Sequence, residues 1–156
     1  ESDYLEMDIK ISAFIPDEYI ESESGRLDAY KEIAEIESAD EVISLTERFE
    51  ESYGKIPAVT ANLINIAVVK RGLLRLGADT LVIDRTEVVI GFSSLKKIND
   101  EMLVKAVQET EGFSFSVSAG VRIKYSRVGK TDEQTLEKLV EFIDKAKKIE
   151  KLNESD

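Results

Sequence analysis

Histidine, cysteine and tryptophan are absent from this 156-residue chain. Without histidine or cysteine, neither a Ser-His-Asp nor a Cys-His triad can be assembled. The usual nitrogen and sulfur ligands of zinc are missing too, and so are disulfides and cysteine redox chemistry. Positive charge is scarce. Lys and Arg number 21 against 32 Asp and Glu, for a net charge of −11. A chain this acidic is a poor holder of a phosphate backbone, and no direct contact with nucleic acid is expected. It has neither GxxxxGK[ST] nor GxGxxG, so no nucleotide cradle of a recognised kind. A long apolar run is also lacking. The best stretch, Ala58–Val69, is interrupted by Thr60, Asn62 and Asn65, so no membrane span is expected. The first residues, Glu1-Ser2-Asp3, include neither an initiator Met nor a basic segment, so no signal peptide is read and an excised piece of a longer protein is suggested.

What is present suits one folded domain. Hydrophobic residues make up 42% and charged residues 34%. A chain of this length buries roughly two-thirds of its unfolded surface, enough for a core without staples. The missing cysteine fits a reducing cytosol.

Hydrophobic periodicity predicts the elements. Met7, Ile9, Ile11, Ala13 and Ile15 alternate with Phe14 and polar residues as a strand does, and Pro16 with Asp17-Glu18 ends it in a turn. A helix is expected over Arg26–Glu37 with Leu27, Tyr30, Ile33 and Ala34 on one face. Ser38 and Glu41 have capping-box spacing for a second helix, whose stripe is Val42, Leu45, Phe49 and Tyr53 and whose stop is Gly54, placed at a left-handed C′ position. Pro57 suits the first turn of a third helix that ends at Gly77. Thr80–Ile83 and Glu87–Phe92 read as a hairpin around Asp84-Arg85-Thr86. Asn99 is read as the cap of a helix over Asp100–Thr110, with Met102, Leu103, Ala106 and Val107 inward. Phe113–Val117 and Val121–Tyr125 make a second hairpin about Ala119-Gly120. Thr131 and Gln134 form another capping box, followed by a long last helix and a loose tail from Asn153. Helices and strands are segregated. The expected fold is therefore α+β, three helices in a front lobe (1–77) and two more with a small, mainly antiparallel sheet in a mixed rear lobe (78–156), within a single domain 1–156.

Paired acids recur, as at Asp17/Glu18, Asp40/Glu41 and Glu50/Glu51. A carboxylate-dependent hydrolase, with or without a divalent metal, would need two such groups converging in a cleft. Several of the chain's paired acids, such as Asp40/Glu41, instead sit at helix N-termini, where they complement the dipole. No metal ligand and no cofactor is assigned.

The second helix is more informative. With Phe49 inward, a turn of about 100° per residue puts Ser44, Glu47 and Glu51 opposite, with Arg48 and Glu50 on the flanks. Glu47 and Glu51 repel at i,i+4. Glu50 and Glu51 occupy the last turn, where the dipole favours cations. Acid held against its own helix points to a basic partner surface, although an acidic solvated face reads the same way. Phe14, Tyr19 and Ile20 surround the Pro16-Asp17-Glu18 turn as a hydrophobic clasp.

Phe14-Ile-Pro-Asp-Glu-Tyr-Ile20, Arg26-Leu-x-x-Tyr-Lys31, Glu51-Ser-Tyr-Gly-Lys-Ile-Pro57, Leu63-x-x-Ile-Ala67 and Leu76-Gly77 together resemble segments of the C-terminal (TRCF) domain of bacterial transcription-repair coupling factors, the Mfd family. The likeness is dense over Ala13–Gly77. Pro16, Tyr19, Gly54, Pro57 and Gly77 are its structural positions. Ser52 stands where the family carries arginine, and Arg48 where a family acid often stands. The resemblance implies a non-catalytic, autoinhibitory domain of an ATP-driven DNA translocase of the bacterial cytoplasm. Such a domain covers the N-terminal UvrB-like module of its own chain and hides the surface that binds UvrA, so that UvrA is an indirect partner. Glu47, Glu50, Glu51, Arg48 and Ser52 are the candidate partner-binding residues. The alternative is an adaptor that binds RNA polymerase or another repair factor directly. Taken alone, the domain is expected to be a monomer.

Overall fold

The computed structural model describes residues 4–93, 100–117 and 120–154. Its elements follow in the order β1 (Glu6–Ile9), α1 (Glu23–Ala34), α2 (Ala39–Tyr53), α3 (Ala58–Leu76), β2 (Thr80–Ile83), β3 (Glu87–Phe92), α4 (Asp100–Glu109), β4 (Phe113–Ser116), β5 (Val121–Ser126) and α5 (Asp132–Glu154). The fold is α+β, as expected. The chain forms two compact units, one of Ile11–Arg71 and one of Glu1–Lys10 with Gly72–Asp156.

The Ile11–Arg71 unit is helical. Ile15, Ile20, Ile33, Ile36, Leu45, Phe49 and Ile64 form its buried core. Each such side chain contributes about 1.5–3 kcal/mol when removed from water. α1 begins three residues before its expected start, because the Ser22 side chain accepts the Gly25 N–H and caps the helix there. Its buried face is also narrower than the pattern implied. Ala29 and Ile33 are buried, whereas Leu27 and Ala34 are exposed. α2 carries the expected capping box, with Ser38 and Glu41 each bonded to the other's backbone. The Pro57 carbonyl accepts the Ala61 N–H, so Pro57 stands just ahead of α3.

The first strand is shorter than its alternation suggested. Sheet pairing ends at Ile9. From Ile11 the backbone bonds instead to helices. Asn62 Nδ2 donates to the Ser12 carbonyl at 3.1 Å, Thr60 Oγ1 to the Phe14 carbonyl at 2.9 Å, and Ile15 N–H to the Tyr30 hydroxyl at 2.9 Å. Two of the polar residues that interrupt the apolar stretch of α3, Thr60 and Asn62, therefore satisfy a neighbouring extended segment, and both are buried in doing so.

In the second unit the sheet order is β1-β2-β3-β5-β4. β1 pairs with β2 in parallel and the other three pairs are antiparallel. Both expected hairpins form, with Ala119 of the second turn outside the described residues, as is Asn99. Alternation along the strands buries Leu81, Ile83, Val88, Ile90, Ile123 and Tyr125 on one face. Phe113 stacks between Tyr125 and Phe142 of α5, at 4.8 and 4.9 Å between ring centres. The Thr131/Gln134 capping box starts α5, which continues through Glu154 where a loose tail was expected. Gly77 ends α3 in a Schellman turn at φ +90°, with Ala78 N–H bonded to Leu73 and Gly77 N–H to Leu74. Arg127, almost fully buried, bonds Asp132 through Nη2 at 2.6 Å and so ties β5 to the start of α5.

Gly72 lies inside α3, where alanine is ordinarily better by about 1 kcal/mol. Here a Cβ would meet Ile143 Cγ2 at 2.6 Å. Gly72→Ala is expected to lower stability by about 1–3 kcal/mol in urea denaturation, and a gain would show that Ile143 yields. Asp84 in the first hairpin turn accepts the Glu87 and Thr86 N–H groups, both at 2.8 Å. Those bonds, helped by the Thr86 hydroxyl and Arg127, hold its carboxyl below the ordinary value. A depressed folded pKa contributes stability above the unfolded value of about 3.9 and loses it as pH falls through the folded one. Asp84→Asn should therefore cost stability near neutrality and converge with the parent in strong acid. A difference that stays constant down to pH ~2 would remove this assignment.

Candidate functional site: an acidic groove between two helices

Acid is concentrated in one part of the chain. Residues 17–51 hold thirteen Asp and Glu against three Lys and Arg, so they carry −10 of the chain's −11. α1 and all but the last two residues of α2 lie within that segment, and the two helices border a groove. One half, about 350 Å³, is lined by Glu32, Glu35, Ile36, Asp40, Glu41, Ser44, Leu45 and Arg48. The other, about 260 Å³, is lined by Gly25, Asp28, Ala29, Glu32, Arg48, Phe49, Glu51, Ser52 and Tyr53. Glu32 and Arg48 belong to both halves. Arg48 Nη1 donates to Glu32 Oε1 at 2.9 Å and lies 3.2 Å from Oε2, bridging the groove at its middle.

The lining acids do different work. Glu41 Oε2 accepts the Glu37 N–H at 2.6 Å and the Ser38 N–H at 3.2 Å, so it is committed to the start of α2. Asp28, Glu35, Asp40 and Glu51 are exposed. The last turn of α2 contains no basic residue.

Of the residues expected from sequence, Arg48, Glu51 and Ser52 come together in the groove. Glu47 and Glu50 are exposed on α2 but line neither half. Asp28 and Glu32 of α1, and Glu35 at its C-cap, were not expected. A running count of charge would have flagged them, but α1 was read for its apolar face only. Among the described residues no group of three acids is placed to hold a metal ion.

The far end of α2 is pinned. The Tyr19 hydroxyl donates to the Gly54 carbonyl at 2.9 Å and lies 3.3 Å from the Phe49 carbonyl. Its ring meets Tyr53 edge-on at 5.7 Å. The Pro16 carbonyl accepts the Tyr19 N–H at 3.0 Å and closes the turn that presents the ring. Arg26 Nη1 steadies the same turn through the Ile20 and Glu21 carbonyls, at 2.8 and 3.0 Å. Burial, then Glu50 and Tyr53, pushes the Tyr19 phenol above its ordinary value. Gly54 has φ +91° and ψ −167°. This is not the left-handed helical conformation expected of it but an extended one at positive φ, open almost only to glycine.

The chain is thus an α+β domain with an acid-lined groove on two of its helices. The TRCF domain model matches residues 9–103, and the chain belongs to that family. It is 27% identical to the transcription-repair-coupling factor of Staphylococcus aureus (strain USA300) over 107 residues, 67% of this chain and 9% of that protein. The corresponding protein of Staphylococcus haemolyticus (strain JCSC1435) is 24% identical over the same length. The chain thus spans about a tenth of the curated relatives it matches. A crystal structure of the C-terminal domain of transcription-repair coupling factor superposes with a TM-score of 0.86, covering 94% of this chain and 93% of that one at 23% identity. Among the described residues no helix is long and apolar enough to cross a membrane.

Two substitutions test the pinned end of α2. Gly54→Val should destabilise by about 1–3 kcal/mol, since nothing lies within 4 Å of its Cβ position and the cost is conformational. An unchanged melting temperature would show that the backbone relaxes elsewhere. Tyr19→Phe should cost about 0.5–1.5 kcal/mol near neutrality. A raised folded pKa contributes stability below the unfolded value of about 10 and loses it as pH rises through the folded one. The cost should therefore shrink in alkali, and a cost independent of pH would refute the hydroxyl's part.

Proposed function

We propose that this chain is a non-catalytic regulatory domain, residues 1–156, that docks through its α1–α2 groove on a basic surface of its own parent protein. The parent is read as an ATP-driven DNA translocase of transcription-coupled repair in the bacterial cytoplasm. The surface covered is that of the N-terminal UvrB-like module, and covering it withholds the binding site for UvrA until the domain is released. Family membership supports the setting. The observation that carries the docking role is the concentration of charge: −10 of the chain's −11 lies in the segment that builds the groove.

Electrostatics of this kind supply orientation and rate more than raw affinity. That suits a lid, which has to hold and then let go. A docking equilibrium of a few kcal/mol is shifted by any partner that prefers the open form. Four of the groove's acids, Asp28, Glu35, Asp40 and Glu51, are exposed and not tied to the start of α2, as release requires. An irregular apolar interface would be slower to part.

Asp28→Lys with Glu51→Lys reverses charge in one half of the groove. In the full-length protein this pair should weaken closure and raise capture of UvrA several-fold. Glu47→Lys, outside the groove, should do much less. Equal capture by all three proteins, with circular dichroism unchanged, would overturn the assignment of the site.

A further inference from the structure

We propose that a small cavity beside the start of α5 is a binding site for a small zwitterion of the α-amino acid class. The cavity, about 210 Å³, is lined by Tyr125 of β5, Lys130 of the turn that follows, and Gln134, Glu137, Lys138 and Glu141 of α5. All six belong to the sheet-bearing unit. The α5 residues fall at i, i+3, i+4 and i+7, so a single helix face forms one wall. The volume is below that of drug-sized pockets and suits a ligand the size of an amino acid.

Tyr125 carries the inference. Only 4% of it is exposed, yet its hydroxyl has no hydrogen-bond partner among the described residues. Phe113 stacks on its ring at 4.8 Å. Gly112 lies so close to one ring edge that a Cβ there would meet Cε1 at 2.9 Å. The body of the ring is thus covered, and the hydroxyl end is what remains to face the cavity. Buried tyrosine hydroxyls ordinarily find a partner. This one is a donor that the fold does not use.

The charges around that hydroxyl are balanced, and one of each sign is unused. Lys138 and Glu141 pair with each other at 3.3 Å. Lys130 and Glu137 have no ion-pair partner among the described residues. Gln134 Oε1 accepts the Thr131 N–H at 2.9 Å, which leaves its amide N–H groups to donate. A lone anion in the cavity would be repelled by Glu137, and a lone cation by Lys130. A molecule that carries both charges is matched at both ends. Its carboxylate accepts from Lys130, the Tyr125 hydroxyl and the Gln134 amide, and its ammonium donates to Glu137. Lys130 and Glu137 are exposed, so the affinity falls roughly in the millimolar range.

The test titrates the isotope-labelled 156-residue chain with L-alanine and follows backbone amide shifts by NMR. Sodium acetate and methylammonium chloride serve as the two half-ligands, at matched ionic strength. L-alanine should give saturable shifts at residues 125–141, and each half-ligand should bind about threefold more weakly or worse. Tyr125→Phe should weaken L-alanine about three- to tenfold without lowering the melting temperature, since the hydroxyl bonds nothing in the chain. Glu137→Gln, on the exposed wall, should weaken it about two- to fivefold. Absence of saturable shifts with L-alanine overturns the proposal. So does acetate binding as tightly as L-alanine, which would show an anion site alone. Unchanged affinity in Tyr125→Phe or in Glu137→Gln overturns it by removing one of the two groups that define the ligand. A lowered melting temperature in Tyr125→Phe overturns it as well, by showing that the hydroxyl serves the fold.

Discussion

Like charges repel, and the Ile11–Arg71 unit must hold two acid-rich helices side by side. Everything in that unit answers to this constraint. Each close pair of acids on a solvated helix costs only a few tenths of a kcal/mol. Each buried Ile, Leu or Phe between the helices contributes several times as much. Ile33, Ile36, Leu45 and Phe49 therefore win, and the acids are carried on the outside of a core that would exist without them. Arg48 bridging to Glu32 relieves the repulsion between α1 and α2 locally.

The second cost falls at the C-terminus of α2, where Glu50 and Glu51 oppose the dipole and no cation offsets them. Local preference would fray that end. The Tyr19 hydroxyl on the Gly54 carbonyl, the edge-on contact with Tyr53 and the Arg26 bonds to the Pro16–Glu21 turn hold it instead. Tertiary contacts thus hold a helix end that its own charges disfavour. In the remaining unit, Glu1–Lys10 with Gly72–Asp156, the end of α4 is likewise without a basic residue of its own, and Lys145 Nζ donates to the Glu109 carbonyl there at 2.9 Å. Its sheet alternates regularly, its aromatic rings stack, and the buried Arg127 bonds Asp132 through Nη2.

Legibility followed the range of the interactions. The hairpin strands Thr80–Ile83 and Glu87–Phe92 and both capping boxes were read to the residue, because strand period and capping chemistry act over a few positions. The first strand was overextended, because Ile11–Ile15 alternates like a strand but gives its hydrogen bonds to Thr60, Asn62 and Tyr30, up to 50 residues away. Leu27 was placed inside by period and lies outside, since α1 buries only the narrow stripe of Ala29 and Ile33. The candidate site was legible by half. The charge conflict on α2 is written in its own sequence, whereas its other wall on α1 is not.

By itself the sequence determined the element types, most of their caps, the acidity and the chemistry that absent residues forbid. These are properties of composition and of spacings within a few positions. The tertiary structure decided which acids share a groove, that Arg48 stands in its middle, and that Gly54 adopts an extended conformation at positive φ. Those outcomes depend on the angle at which α1 meets α2 and on where the clasp at Tyr19 lands. No local spacing encodes them, because they arise only when side chains distant in the chain compete for the same space and the same hydrogen bonds.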